Sequence, residues 1–98
     1  MKHISVKELH SLLEIDKIEL IDVREPDEFA NGHVAGARNL PLSSLADNYS
    51  SLDKEVSYHI ICQKGGRSAR ACEFLEGQGY HVTNVEGGVE AYSEGLTQ

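Results

Sequence analysis

The sequence predicts an α/β protein, a sandwich of helices around a mostly parallel sheet, on three observations. Short strand-like runs are spaced along the chain, the β-branched and apolar Ile18 to Val23 and Val56 to Ile61, the brief Arg38 to Leu40, and His81 to Val85. Segments of helical periodicity fall between them, and a strand that returns parallel to its predecessor needs such a crossover. Glycine and proline punctuate the joints.

Ser5 and Glu8 have the spacing of a capping box, and Val6, Leu9, Leu12 and Leu13 recur at helical intervals, so a first helix is expected over residues 6 to 14. Residues 18 to 23, IELIDV, read as a buried strand with charge at its C-terminal end, Asp22 and Arg24, before Pro26 stops it. The segment DEFANGHVAGA then holds a short helix with Gly32 as its C-terminal cap, followed by a turn around Gly36. Arg38 to Leu40 is a brief strand ahead of Pro41, and Ser43 or Ser44 caps another short helix running to about Tyr49. Val56 to Ile61, VSYHII, gives the second strong strand signal, with Cys62 as the last residue of its apolar run. Beyond two glycines the pattern turns helical from Ser68, with Ala69, Cys72 and Leu75 on one stripe, Ala71 and Phe74 beside it, and Gly77 and Gly79 closing it. His81 to Val85 is the last strand.

Length and composition set limits on function. The 98 residues, 40% hydrophobic and 26% charged with no repeat or low-complexity run, are expected to form one globular domain over residues 1–98. A chain of this size removes roughly 60 to 65% of its unfolded surface from water, which leaves room for one core and one site. Sixteen acidic against nine basic residues give a formal charge of -7, which repels phosphate backbones unless the cations share one face, so nucleic acid is not an expected partner. MKHISVKELH alternates charged and apolar residues, and no apolar run is long enough to span a membrane. A soluble cytoplasmic protein without a secretion signal is therefore expected, with no membrane partner and with both cysteines reduced. Those two cysteines lie ten residues apart with no CxxC pair and no His/Cys cluster, so neither a metal nor a cofactor is expected.

The stretch CQKGGRS, residues 62 to 68, carries the candidate chemistry. In parallel α/β sheets ligands bind at the carboxyl ends of strands, and Cys62 stands there, before a glycine turn that opens a helix. A free thiol is only about 3% ionised at neutral pH, so a sulfur nucleophile needs its anion stabilised. A helix dipole supplies at most about 2 kcal/mol, so backbone N–H groups and nearby cations must add to it. Gly65 and Gly66 allow successive N–H groups to converge as an anion-holding nest, and Lys64, Arg67 and Arg70 place positive charge around it. The same residues also fit a small buried hydrophobe ahead of a surface turn. Cys72 falls on the apolar stripe of the following helix and reads as core, with a resolving thiol as the alternative.

Three blocks in order resemble the rhodanese-like sulfurtransferase family over nearly the whole chain: LIDVREPDEFANGHVAGARNLPL (20 to 42), CQKGGRSARACEFLEGQGY (62 to 80) and NVEGGVEAY (84 to 92). The resemblance implies a three-layer sandwich with a central, mostly parallel sheet of about five short strands and helices on both faces. It implies a catalytic cysteine, matched by Cys62, that takes a sulfane sulfur from a donor such as thiosulfate, becomes a persulfide, and passes the sulfur to cyanide, a thiol or a protein thiol. On this resemblance the substrate-binding residues are Gln63, Lys64, Gly65, Gly66, Arg67 and Ser68, with backbone amides of 63 to 67 holding the charge and Arg67 steering the donor. Arg24 is either structural or substrate-facing, Asp22 braces loops, Glu25 is a solvated carboxylate at a helix start, and His33 packs and hydrogen-bonds. One departure is Tyr92, where the family commonly has tryptophan; packing beside the pocket is expected to differ there. The four residues between Cys62 and Arg67 match a sulfur-transfer loop, whereas related phosphatases have one more. A persulfide relay without small-molecule turnover and a phosphatase or arsenate reductase are the competing functions.

Overall fold

The structure, a computed structural model, describes residues 1–15 and 18–98. Strands β1 (Lys2–Ser5), β2 (Glu19–Asp22), β3 (Arg38–Asn39), β4 (Ser57–Ile61) and β5 (His81–Glu86) form one sheet in the order β1-β5-β4-β2-β3, every adjacent pair parallel. Helices α1 (Val6–Ile15), α2 (Pro26–Ala30), α3 (Leu45–Asn48), α4 (Gly66–Gly77) and α5 (Gly88–Ala91) connect or follow the strands, with 3₁₀ turns at Leu42–Ser44 and Tyr49–Ser51. The predicted α/β sandwich is the observed architecture, and the sheet is parallel throughout.

The twofold alternation of each strand divides its side chains between two cores. Ile21, Tyr58, Ile60 and Val82 join Leu45, Ala71, Cys72 and Leu75 on the face covered by α3 and α4. Leu20, Ile61 and Val85 join Leu9 and Val89 on the face covered by α1 and α5. Burying a leucine such as Leu9, which has no exposed surface, contributes about 2 to 3 kcal/mol. Among the described residues no helix is long and apolar enough to cross a membrane.

The first helix begins as its sequence dictates: the Glu8 N–H donates to Ser5 Oγ and the Ser5 N–H to Glu8 Oε1, each at 3.1 Å. Elsewhere the structure corrects the expected boundaries. Pro26 is the first residue of α2 rather than only the end of a strand, because its missing N–H is no loss there. The cap of α2's C-terminus is Asn31, and Gly32 follows it at φ +146°. Ser44 stands at the N-cap of α3 as one of the two expected residues, but without a side-chain capping bond: the chain enters through the 3₁₀ turn after Pro41, Ser44 Oγ donates to Pro41 O at 3.4 Å, and Ser43 Oγ donates to Glu25 Oε1 at 2.8 Å. The long helix starts two residues earlier than expected, at Gly66, with Gly65 as its N-cap at φ +114°. Its buried stripe is Ser68, Ala71, Cys72 and Leu75, so Ala69 is displaced from the core by Ser68. Two elements were not anticipated, β1 at the sheet edge and the four-residue α5.

Candidate active site

Because all strands are parallel, the loops after β2, β4 and β5, which are neighbours in the sheet, emerge at one edge. They bring together Arg24, the Cys62–Gly65 turn, and the glycine pair Gly87–Gly88. Cys62 directly follows β4 and is 1% exposed. Its sulfur receives the Gly65 N–H at 3.1 Å and lies 3.3 Å from Ser68 Oγ, to which the thiol donates. Ser68 is fully buried, and its hydroxyl is also within reach of Gly65 O at 3.1 Å. When the sulfur ionises, the Ser68 hydroxyl becomes a donor to it.

Burial alone pushes the Cys62 thiol up. The Ser68 hydroxyl and the backbone N–H groups of Ser68, Gly65 and Lys64 outweigh it, so the group is held below the ordinary thiol value. Of the amides of residues 63 to 67 expected to hold the sulfur, the Gly65 N–H is within hydrogen-bond distance of it, and the Ser68 hydroxyl on α4 is a further partner.

What turns those amides inward is α5. Val89 N–H donates to Cys62 O at 2.8 Å and Glu90 N–H to Gln63 O at 3.0 Å, so the carbonyls of the turn are pulled away from the sulfur. The approach is close: a Cβ on Gly88, which sits at φ +63°, would lie 2.4 Å from both Cys62 O and Gln63 O. Nothing in composition or periodicity singles out Gly88. The paired glycines of the third sequence block were the available signal, and they mark an element that shapes the site without entering it.

The cations are arranged unevenly. Lys64 and Arg70 are exposed at the rim of an open depression of about 300 Å³ that Cys62, Gln63, Gly66 and Arg67 also line. Arg67, expected to steer the donor, holds Glu28 of α2 in a fork, NH1 to Oε1 at 2.6 Å and NH2 to Oε2 at 2.9 Å. The Arg67 guanidinium holds the Glu28 carboxyl down from its ordinary 4.5 to about 2, against a smaller upward push from burial. Glu28 is a site residue that sequence reasoning missed, since one acid among sixteen announces no partner 39 positions away.

Arg24 is buried, with its guanidinium on the Asp22 carboxylate at 2.8 Å and on Gly32 O at 2.8 Å; its remaining nitrogen reaches Gln63 Oε1 at 3.4 Å. The Asp22 carboxylate also accepts the Arg24 N–H, so Asp22 braces this loop as expected. Glu25 is not a free carboxylate: it is the N-cap of α2 in a capping box with Glu28 and accepts the Ser43 hydroxyl. His33 stacks on Phe29 with ring centres 3.7 Å apart and contacts Phe29 O through Nδ1, the packing role anticipated for it. Tyr92 does not border the depression; it packs with the α1 face of the sheet, and its hydroxyl meets His10 Nδ1 at 3.1 Å. Cys72 is fully buried in the other core.

The family model of the rhodanese-like domain matches residues 5–95. YtwF of Bacillus subtilis, provisionally named a sulfurtransferase, is 38% identical over all of this chain and 95% of its own. The thiosulfate sulfurtransferase GlpE of Shewanella oneidensis is 33% identical, over 95% of this chain and 93% of that protein. A crystal structure from Staphylococcus saprophyticus superimposes over the full length of both chains with a TM-score of 0.95 at 37% identity.

Proposed function

The chain belongs to the rhodanese-like domain family, and from that premise we propose that it is a thiosulfate sulfurtransferase-like enzyme working through a Cys62 persulfide. The single observation that carries this is the environment of Cys62 Sγ, a strand-end sulfur met by the Gly65 N–H at 3.1 Å and by Ser68 Oγ at 3.3 Å. Such an environment favours the thiolate, which is the attacking species.

In the proposed reaction the Cys62 thiolate attacks the outer sulfur of thiosulfate. A sulfur–sulfur bond forms at Cys62, the original one breaks, and sulfite leaves with its electron pair. Charge is conserved, since a thiolate and a dianion become a persulfide anion and a dianion. Attack by cyanide or a thiol on the outer sulfur then restores Cys62. The amides that hold the thiolate are close enough to hold the persulfide anion, while Lys64 and Arg70 draw anions to the rim. Arg24 acts in this scheme by holding Gln63, and so the turn, rather than by contacting the donor. The short Cys62-to-Arg67 loop supports sulfur over phosphorus as the atom transferred.

Mass spectrometry after thiosulfate treatment tests the proposal: Cys62 should gain one sulfur atom, and thiosulfate should be consumed when cyanide or a thiol is added. Full turnover by Cys62→Ser overturns it. Loading of Cys62 with negligible turnover would assign a persulfide relay to a partner protein instead, and phosphatase activity lost in Cys62→Ser would assign phosphoryl chemistry.

A further inference from the structure

Helix α4 carries two guanidinium groups to the depression beside Cys62. Arg67 and Arg70 stand one turn apart, which puts them on one face of the helix, away from the buried stripe of Ser68, Ala71, Cys72 and Leu75. Both line the depression together with Cys62, Gln63, Lys64 and Gly66. They differ in what already holds them. Arg67 is partly exposed, and its two terminal nitrogens sit on the Glu28 carboxylate at 2.6 and 2.9 Å, which fixes the group and leaves its Nε edge open to a ligand. Arg70 is exposed and, among the described residues, takes part in no ion pair: Glu28 is committed to Arg67, and Glu73, one turn further along α4, does not hold it.

A thiolate that attacks an anionic donor brings like charges together. The Gly65 N–H and the Ser68 hydroxyl stabilise the sulfur of Cys62 and do nothing for the oxygens of the incoming group. Those oxygens need donors of their own, and the exposed wall of the depression is otherwise mostly apolar. A guanidinium suits them best, because its planar fork meets two oxygens of one oxyanion at once, whereas the ammonium of Lys64 acts as a point charge on a flexible stem.

We infer that Arg70 is a donor-binding residue whose guanidinium grips the oxyanion group of the sulfur donor, beside the open edge of Arg67. The inference rests on the sulfurtransferase reading and goes beyond a general attraction of anions to the rim: it assigns a direct contact, and it selects donors whose transferable sulfur is bonded to an oxyanion centre. The sulfur step keeps its balance. The Cys62 thiolate attacks the outer sulfur of thiosulfate, the new sulfur–sulfur bond forms as the old one breaks, and sulfite departs with the electron pair while its oxygens are still held by Arg70.

The test follows single-turnover sulfur loading of Cys62 as thiosulfate is raised, in the wild type, Arg70→Gln and Arg70→Lys, beside the rate at which uncharged iodoacetamide alkylates Cys62. Arg70→Gln should need about fivefold more thiosulfate for half-maximal loading, the weight of one exposed ion pair, while its alkylation rate matches the wild type. Arg70→Lys keeps the charge and loses the fork, so its thiosulfate requirement should fall between the two. At constant ionic strength unreactive sulfate should shield wild-type Cys62 from iodoacetamide, and should shield Arg70→Gln only at about fivefold higher concentration. An unchanged thiosulfate requirement in Arg70→Gln overturns the inference. So does an Arg70→Lys that equals the wild type, or alkylation that slows in step with loading, which would mean that Arg70 acts on the thiolate and not on the donor. If thiosulfate fails to load wild-type Cys62 while sulfate still shields it through Arg70, the sulfurtransferase reading is what has failed; equal shielding in wild type and Arg70→Gln overturns the inference by itself. Thermal melts of the variants should coincide with the wild type, since Arg70 holds no ion pair that its replacement would break.

Discussion

Replacing Gly88 with alanine should disable the site and destabilise the protein together. The added Cβ would stand 2.4 Å from the carbonyl oxygens of Cys62 and Gln63, about 1 Å inside ordinary van der Waals contact, and backbone on both sides leaves no flexible side chain to yield. The left-handed conformation at φ +63° costs a non-glycine residue about 1 to 2 kcal/mol. Moving α5 away sacrifices the Val89 and Glu90 bonds to the turn, worth about 1 kcal/mol each. Together these come to about 3 to 4 kcal/mol, which for a domain of this size lowers Tm by about 12 °C or more. Gly36→Ala is the control, since Gly36 has φ +88° with nothing near its would-be Cβ, and it should suffer only the conformational cost. Thermal unfolding gives the stability, and the rate of Cys62 alkylation at neutral pH gives the state of the cradle, which should slow in Gly88→Ala alone. If Gly88→Ala melts with Gly36→Ala and alkylates at the wild-type rate, then α5 does not shape the turn.

Two other perturbations follow from the site. Ser68→Ala removes the side-chain partner of the sulfur; a hydrogen bond to a charged group is worth about 1.5 to 3 kcal/mol, so alkylation of Cys62 at neutral pH should slow about tenfold, and an unchanged rate would exclude the hydroxyl as a thiolate donor. For Glu28, held at about 2 when folded against an ordinary 4.5, the pair's stabilisation is complete above about 4.5 and drains away as pH falls towards 2. Both side chains are about a third exposed, at 31% and 33%, so screening reduces that contribution to about 1 kcal/mol. The stability gap between wild type and Glu28→Gln in urea unfolding should be about that size at neutral pH and close near pH 2; a gap that persists there contradicts the ion-pair origin.

How much of this was legible in the sequence depends on how local its cause is. Strands β2, β4 and β5 were placed within about a residue because apolar, β-branched runs declare themselves, and α1 because Ser5 and Glu8 cap each other across three positions. Strand β1 was not, because half of Lys2–Ser5 is exposed and its partner, Thr83–Glu86, lies some eighty residues away. Helix α5 was missed because four residues beginning with glycine are too few to show a period. Cys62 could be named as the nucleophile candidate from strand, turn and glycines alone, while the hold of Glu28 on Arg67 and of α5 on the turn are long-range facts that no local pattern encodes.

The two cysteines separate burial from activation. Both belong to the same core cluster, and both are at most 1% exposed. Burial, with the nearby Glu76 adding to it, pushes Cys72 up to about 12. The same push acts on Cys62 and is overcome there, because the turn after β4 and the first turn of α4 present backbone N–H groups and the Ser68 hydroxyl to the sulfur while α5 holds the opposing carbonyls away. Residue type and depth are thus shared, and the hydrogen-bond donors around the sulfur, the Ser68 hydroxyl and the peptide N–H groups of the turn, are what differ. It follows that reactivity at Cys62 depends on backbone geometry together with the Ser68 hydroxyl, so changes at Ser68, at the glycines and at the 87–90 segment should alter it more than conservative changes among the exposed cations of the rim.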